Sequence, residues 1–289
     1  DILTRQDLPL PADHRHDTTL DRAALLIADL VESLGSTLDE VLAIGIAVPA
    51  PVDPATGSVP VSGILRGWED LPIAEVLGRR LGAPAVVGND ADLGALGELR
   101  FGAGRGHESL LYVRASYGVG AGIILGGQVH HGHLGTAGEI GHMLLDSQGA
   151  ICRCGSRGCL NTVCGAQALI DSLRHSRGPV TLTDVLDLAI EGDLGCQRVL
   201  YDAGTAIGTV AANTALALNP ELIIVGGELS RAGSLLLDPM RDAIRQRVPL
   251  LQPIPLELVP AELGDEAEVR GAFALASAHA HVTTGERVA

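Results

Sequence analysis

At 289 residues the chain can bury a large core, and with 46% hydrophobic but only 2% aromatic side chains that core must be Ala, Val, Leu and Ile. A formal charge of −15, with no basic stripe, excludes nucleic-acid binding within these residues, because such binding rests on Lys and Arg against phosphate. Neither a long apolar span nor a secretory leader is visible, and the five cysteines, four of them from Cys152 to Cys164, fit a reducing interior, so a soluble cytoplasmic protein without membrane contact is expected.

In chain order, residues 1–10 read as a strand and 9–19 as a polar loop whose His14 and His16 are solvated. Residues 20–34 carry Leu25, Leu26, Ala28, Leu30, Val31 and Leu34 at helical spacing, with Gly35 as a stop. A buried strand over 41–48 ends in the rigid turn Pro49-Ala50-Pro51-Val52-Asp53-Pro54. The single Trp, Trp68, reads either as a packing residue or as part of a ligand motif.

Next come a helix over 71–81, a strand over 85–87 and a helix over 89–101. The junction Gly88-Asn89-Asp90-Ala91 lies where α/β sheets bind ligands. Asp90 there has two readings: a helix cap, or a carboxylate kept ionised by the helix N-terminus and able to act as a general base. Strands over 109–114 and 119–125 flank Tyr117-Gly118-Val119-Gly120-Ala121-Gly122, whose alternate glycines suit either a phosphate approach or a tight hairpin. His130, His131 and His133 follow in a loop, solvated or metal-binding. Beyond residue 160 the pattern gives helices over 166–175, 182–190 and 194–218, the last with Gly204 and Gly208 set for close packing. A strand over 222–225, Gly226-Gly227, a helix over 233–247, a strand over 256–259 and a helix over 266–281 complete the chain.

The most informative stretch is 138–160, where His142, Cys152, Cys154 and Cys159 are good zinc ligands. One imidazole and three thiolates satisfy tetrahedral Zn²⁺ and leave no position for a reactive water, so the site is structural. Gly149, Gly155 and Gly158 let so short a loop fold back on itself. The set keeps one net negative charge, which Arg153 and Arg157 are placed to offset. Buried thiols without metal are the alternative, but three cysteines within eight residues in a Gly- and Arg-containing loop are not a core pattern.

Glu139-Ile140-Gly141-His142 followed by Cys152-Arg153-Cys154-Gly155-Ser156-Arg157-Gly158-Cys159 resembles the signature of the ROK family of repressors, open reading frames and sugar kinases. The run from Gly45 to Asp53 and the stretch from Asn219 to Gly227 are similar to further family motifs. The resemblance implies an α/β, actin-like ATPase (ribonuclease H-like) two-lobed fold with a structural zinc loop. Its expected lobes are 1–103, completed by 266–289 and lacking its first strands, and 104–265 with the zinc loop 138–160. It implies sugar contacts from Asn89, Asp90, Glu139, His142 and the residue at Asn161, in the cleft between lobes. In a kinase Asp90 would be the base, and the loops at Gly118, Gly120, Gly122, Gly226 and Gly227 would face ATP and magnesium.

Three positions depart from the kinase pattern. Ile64 occupies an Asn position, Tyr117 a Thr position, and Asn161 a Glu position. The family's N-terminal Asp-x-Gly-Gly-Thr phosphate loop has no counterpart in residues 1–40. These departures favour sensing over phosphoryl transfer. The expected function is therefore the sugar-sensing, dimerising effector domain of a ROK repressor, reaching DNA only through a domain absent from this chain. An ATP-dependent sugar kinase and a non-catalytic, zinc-stabilised sugar-binding protein are the alternatives.

Overall fold

Runs of Val, Ile and Leu that end in glycine, proline or asparagine become parallel strands, and apolar residues at helical spacing become the helices between them. The structure, a computed structural model, describes residues 2–8, 16–61, 64, 65, 67–247 and 256–284. The chain divides into two compact units, Asp1–Asp90 with His133–Thr136 and Ala272–Ala289, and Ala91–Gly132 with Ala137–Gly271.

In the first unit β1 (Ile44–Val48) pairs in parallel with β2 (Ala85–Asn89), Ile44 opposite Ala85 and Val48 opposite Asn89. Helix α1 (His16–Ser33) begins four residues earlier than the apolar pattern suggests, with Asp17 in its first turn, where the helix dipole favours an acid. His16 therefore lies in a helix, paired with Asp17, and His14 is outside the described residues. Residues 2–8 form no strand, contrary to expectation; they are exposed, and among the described residues no strand pairs with them. Helix α2 (Ile73–Leu81) stops at Gly82, whose left-handed φ of 68° ends it.

Trp68, 5% exposed, packs with Leu20, Val48, Ala50, Val52, Val59 and Ile73, and its ring meets His16 edge-on at 6.4 Å. This burial accords with the packing reading of the residue. Half-buried Ile64 lies against the same cluster. At Gly45 a side chain would overlap the Ala272 carbonyl, so β1 and the later part of helix α9 (Ala267–Thr284) meet backbone to backbone. The C-terminal helix belongs to the first unit from Ala272 onward, and that unit's first segment ends at Asp90.

The second unit is built on a five-stranded sheet in the order β5-β4-β3-β6-β7. Its strands are β3 (Leu110–Ala115), β4 (Val119–Leu125), β5 (Gln128–Val129), β6 (Leu222–Gly226) and β7 (Glu257–Pro260). β4 runs antiparallel to β3 and β5, while β3, β6 and β7 are parallel. Alternation divides each central strand between two cores. Leu111, Val113, Ala115, Ile223 and Val225 face a large cluster built mainly from later helices. Leu110, Tyr112, Leu222 and Ile224 face a smaller one with Ala95 and Leu99 of helix α3 (Asp90–Phe101). A sheet covered on both faces explains why these strands read as continuous apolar runs.

Helix α7 (Leu194–Leu218) packs on α8 (Ser234–Arg247) through the expected glycines: added side chains would crowd Leu236 O at Gly204 and Met240 O at Gly208. Helices α5 (Ala166–Arg177) and α6 (Leu182–Ile190) complete this layer. Among the described residues no helix is long and apolar enough to cross a membrane.

Candidate metal centre and the loops around it

A short 3-10 turn, Ile140–His142, sets His142 at the start of the cysteine loop. Antiparallel bridges between Leu144 and Cys159 and between Ile151 and Arg157 fold the loop back. Gly158 takes φ 69° and presses against the Asp146 carbonyl, so neither the angle nor the space admits a side chain. The Cys152 amide donates to Ser156 O at 2.8 Å and the Gly155 amide to Cys152 O at 2.9 Å, a tight knuckle that aims the thiols inward. Arg157 donates to Gly149 O at 2.8 Å, bracing the loop.

The ligand atoms of His142, Cys152, Cys154 and Cys159 all lie within 4.8 Å of one another, and among the described residues this is the grouping able to hold a metal ion. Cys152 Sγ is 3.5 Å from His142 Nδ1 and Cys154 Sγ is 3.7 Å from Cys159 Sγ. Tetrahedral zinc with ordinary Zn–S and Zn–N bonds sets those separations at about 3.8 Å for S···S and about 3.6 Å for S···N. The donor set therefore fits the ion in chemistry and in spacing.

Burial and the nearby Arg153 guanidinium hold His142 below the usual imidazole range, which favours the neutral ring a metal needs. Burial and the adjoining thiols push Cys159 up to about 12. Burial acts upward on Cys154 too, but hydrogen bonds from the Ser156 amide and the neighbouring thiols outweigh it, and this thiol is lowered. Three thiols so close cannot all ionise without a cation among them. Cys164 stands apart: it is buried, donates to Leu160 O at 3.2 Å, and burial raises it.

The metal loop is joined to the glycine-rich turn after β3. Asn161, which opens the short helix α4 (Asn161–Cys164), accepts the Val119 amide through Oδ1 at 2.7 Å. The Ala121 amide donates to Gly138 O at 2.8 Å, next to Glu139. His142 Nε2, the ring nitrogen not facing Cys152, lies 3.8 Å from Glu139 Oε2. Glu139, His142, Asn161 and Gly118 are thus gathered within the second unit.

Asn89 closes β2 rather than opening a helix, and its Nδ2 donates to Ala50 O at 3.0 Å, fixing the proline-rich turn after β1. Asp90 is the first residue of α3, as a carboxylate at a helix N-terminus should be. The five loop glycines serve different ends. At Gly122 a side chain would strike Ala91 and Ala95 of α3, and at Gly226 it would strike the Tyr112 ring, so these two permit close packing. Gly227, with φ 81°, makes the turn out of β6.

Two polar pairs escaped the sequence reading. Ser116 Oγ donates to Glu228 Oε2 at 2.5 Å, joining residues 112 positions apart. His131 Nδ1 lies 2.8 Å from Asp92 Oδ2, so that histidine, partly open to solvent, is held by an acid and is not part of the metal grouping. Burial pushes the Asp92 carboxyl up against the pull of His131, while the bond to Asp92 raises His131. An acid two residues inside a helix that reads as apolar was the available signal for the second pair.

The ROK family profile matches residues 1–279. The xylose repressor of Caldicellulosiruptor bescii is 30% identical over 264 residues, covering 86% of this chain and 66% of the repressor. The glucokinase of Halalkalibacterium halodurans is 34% identical over 246 residues, covering 76% of this chain and 74% of the enzyme. In structure, a ROK family glucokinase from Streptomyces griseus in complex with glucose and AMPPNP superposes with a TM-score of 0.80 at 28% identity, covering 91% of this chain and 89% of that one. The actin-like α/β class expected from the signature is borne out by that likeness. From the fold, the His/Cys loop and the match across nearly the whole length, the chain belongs to the ROK family.

Proposed function

We propose that this chain is the sugar-sensing, dimerising effector domain of a ROK transcriptional repressor, cytoplasmic, and reaching DNA through residues outside it. The observation that carries the sugar reading is the position of His142. With Nδ1 turned to the thiols and Nε2 3.8 Å from Glu139 Oε2, zinc on Nδ1 would leave Nε2–H as a donor beside a carboxylate. A donor and an acceptor at that spacing suit one hydroxyl that accepts from the imidazole and donates to Glu139, and they suit adjacent hydroxyls of a pyranose equally. Structural zinc in this reading fixes the ring and supplies no reacting atom. Asn89 and Asp90 are the further sugar contacts proposed, with Asn161 holding the neighbouring turn.

Sensing rather than phosphoryl transfer is supported by three side chains. Tyr117, 70% exposed, stands at the head of the glycine turn in place of a short hydroxyl residue. Ile64 packs against apolar neighbours and offers a sugar nothing polar. Asn161 spends Oδ1 on the Val119 amide. The second reading, an ATP- and magnesium-dependent sugar kinase with Asp90 as base, draws on the likeness to glucokinases and on Asp90 at the N-terminus of α3. A zinc-stabilised sugar-binding protein without DNA partner or catalysis is the third.

Calorimetric titration of a panel of hexoses, N-acetyl hexosamines, pentoses and their phosphates tests the sugar site. One class should bind wild type, and Glu139→Ala should weaken it at least tenfold, about 1.4 kcal/mol. Equal affinity in wild type and variant would remove Glu139 from the site.

A further inference from the structure

β3 and β6 are parallel neighbours, and the chain leaves them in opposite directions, β3 turning back to β4 on one side and β6 leading to β7 on the other. Such a divergence beyond the carboxyl ends of parallel strands opens a crevice where α/β proteins bind ligands. Glycines at both exits give it the look of a phosphate cradle. The side chains say otherwise. Ser116, the first residue after β3 and 2% exposed, donates to Glu228, the second residue after β6, at 2.5 Å. The glycine before Glu228 is fixed in turn: Gly227 takes φ 81°, has no room for a side chain beside the Ala115 carbonyl, and accepts the Ser230 hydroxyl at 2.7 Å. A carboxylate is therefore tethered across the two exits. Arg153 of the metal loop lies beside Gly118, in the turn that follows β3.

We propose that Glu228, held by Ser116, sets the charge specificity of this crevice by repelling polyphosphate, so that nucleotide is refused whatever the sugar site holds. Specificity against a competitor is commonly built from such a repulsive element. A like charge also acts more strongly here than in open water, because the tethering hydroxyl is buried. The inference deepens the sensor reading and rests on it, but its test is separate.

MgADP is titrated calorimetrically into wild type, Glu228→Gln and Glu228→Ala, each also titrated with the sugar that wild type binds best. Wild type should bind MgADP with a Kd above about 1 mM, and the two variants at least tenfold tighter, about 1.4 kcal/mol. Sugar affinity should stay unchanged in all three. Tight binding of MgADP by wild type, below about 0.1 mM, overturns the proposal. So does a folded variant that binds MgADP no better than wild type. The alanine variant decides if the glutamine one misfolds. Failure of every sample to bind any sugar would instead count against the sugar-sensing reading, leaving the MgADP comparison to stand by itself.

Discussion

Stripping metal from His142, Cys152, Cys154 and Cys159 is expected to lower Tm by roughly 10 °C or more, since metal binding energy at a closed site is folding energy. The loop has little else to hold it. Of its apolar side chains only Ile140, Cys152, Cys159 and Leu160 are buried, Leu145 partly so, and Ile151, Leu144 and Met143 are exposed. Without the cation, Cys159 reverts to a thiol pushed up to about 12 among neighbours that repel its charge. Asn161 and Gly138 connect the loop to Val119 and Ala121, so disorder there would spread into the glycine turn. Elemental analysis should find one zinc per chain. Cys159→Ser should reproduce most of the chelator effect, with hydrogen exchange rising across 139–161. A metal-free protein that melts unchanged after chelation would refute the site.

The second large effect is expected at Glu98, a carboxylate with no exposed surface. It accepts the amides of Ala103 at 2.8 Å, Glu262 at 3.2 Å and Leu263 at 2.9 Å. One side chain thus caps the turn after α3 and fastens the segment before α9. Glu98→Ala strands three donors in a dry site at once, and should cost about 3–5 kcal/mol, the range for removing one partner of a buried charge-assisted set. Glu98→Gln keeps the volume but turns an NH₂ towards amides that also donate, and should fall between alanine and wild type. Urea denaturation measures both. A loss under about 1 kcal/mol for the alanine variant would mean that water or rearrangement satisfies those amides.

Local patterns carried much of this architecture. Cysteine spacing and glycine punctuation marked the metal loop, because a tetrahedral site closed within the eighteen residues from His142 to Cys159 is a local object. The two-faced burial of β3 and β6 was legible as unbroken apolar runs, and Gly204 and Gly208 as a packing seam, since α8 follows α7 closely in the chain. Long-range contacts were not legible. The bond from Ser116 to Glu228 and the three amides on Glu98 join residues more than a hundred positions apart, apart from Ala103. No window of sequence contains both ends. Residues 2–8 misread as a strand for the same reason: alternation permits an extended conformation, but only a partner strand makes a ladder. The crowding of Gly122 by α3 and of Gly226 by Tyr112 likewise shows only after folding.

The protein is expected to recognise a sugar without phosphorylating it. A coupled ATP-consumption assay, with magnesium and the sugar that binds best, decides the point. Phosphoryl transfer needs positioned phosphates, metal and a base together, and each tenfold in rate is about 1.4 kcal/mol of lost stabilisation. Turnover should stay below about 0.01 s⁻¹, under the ordinary enzyme range. Turnover of about 1 s⁻¹ or more would contradict it and make Asp90 the base of a sugar kinase.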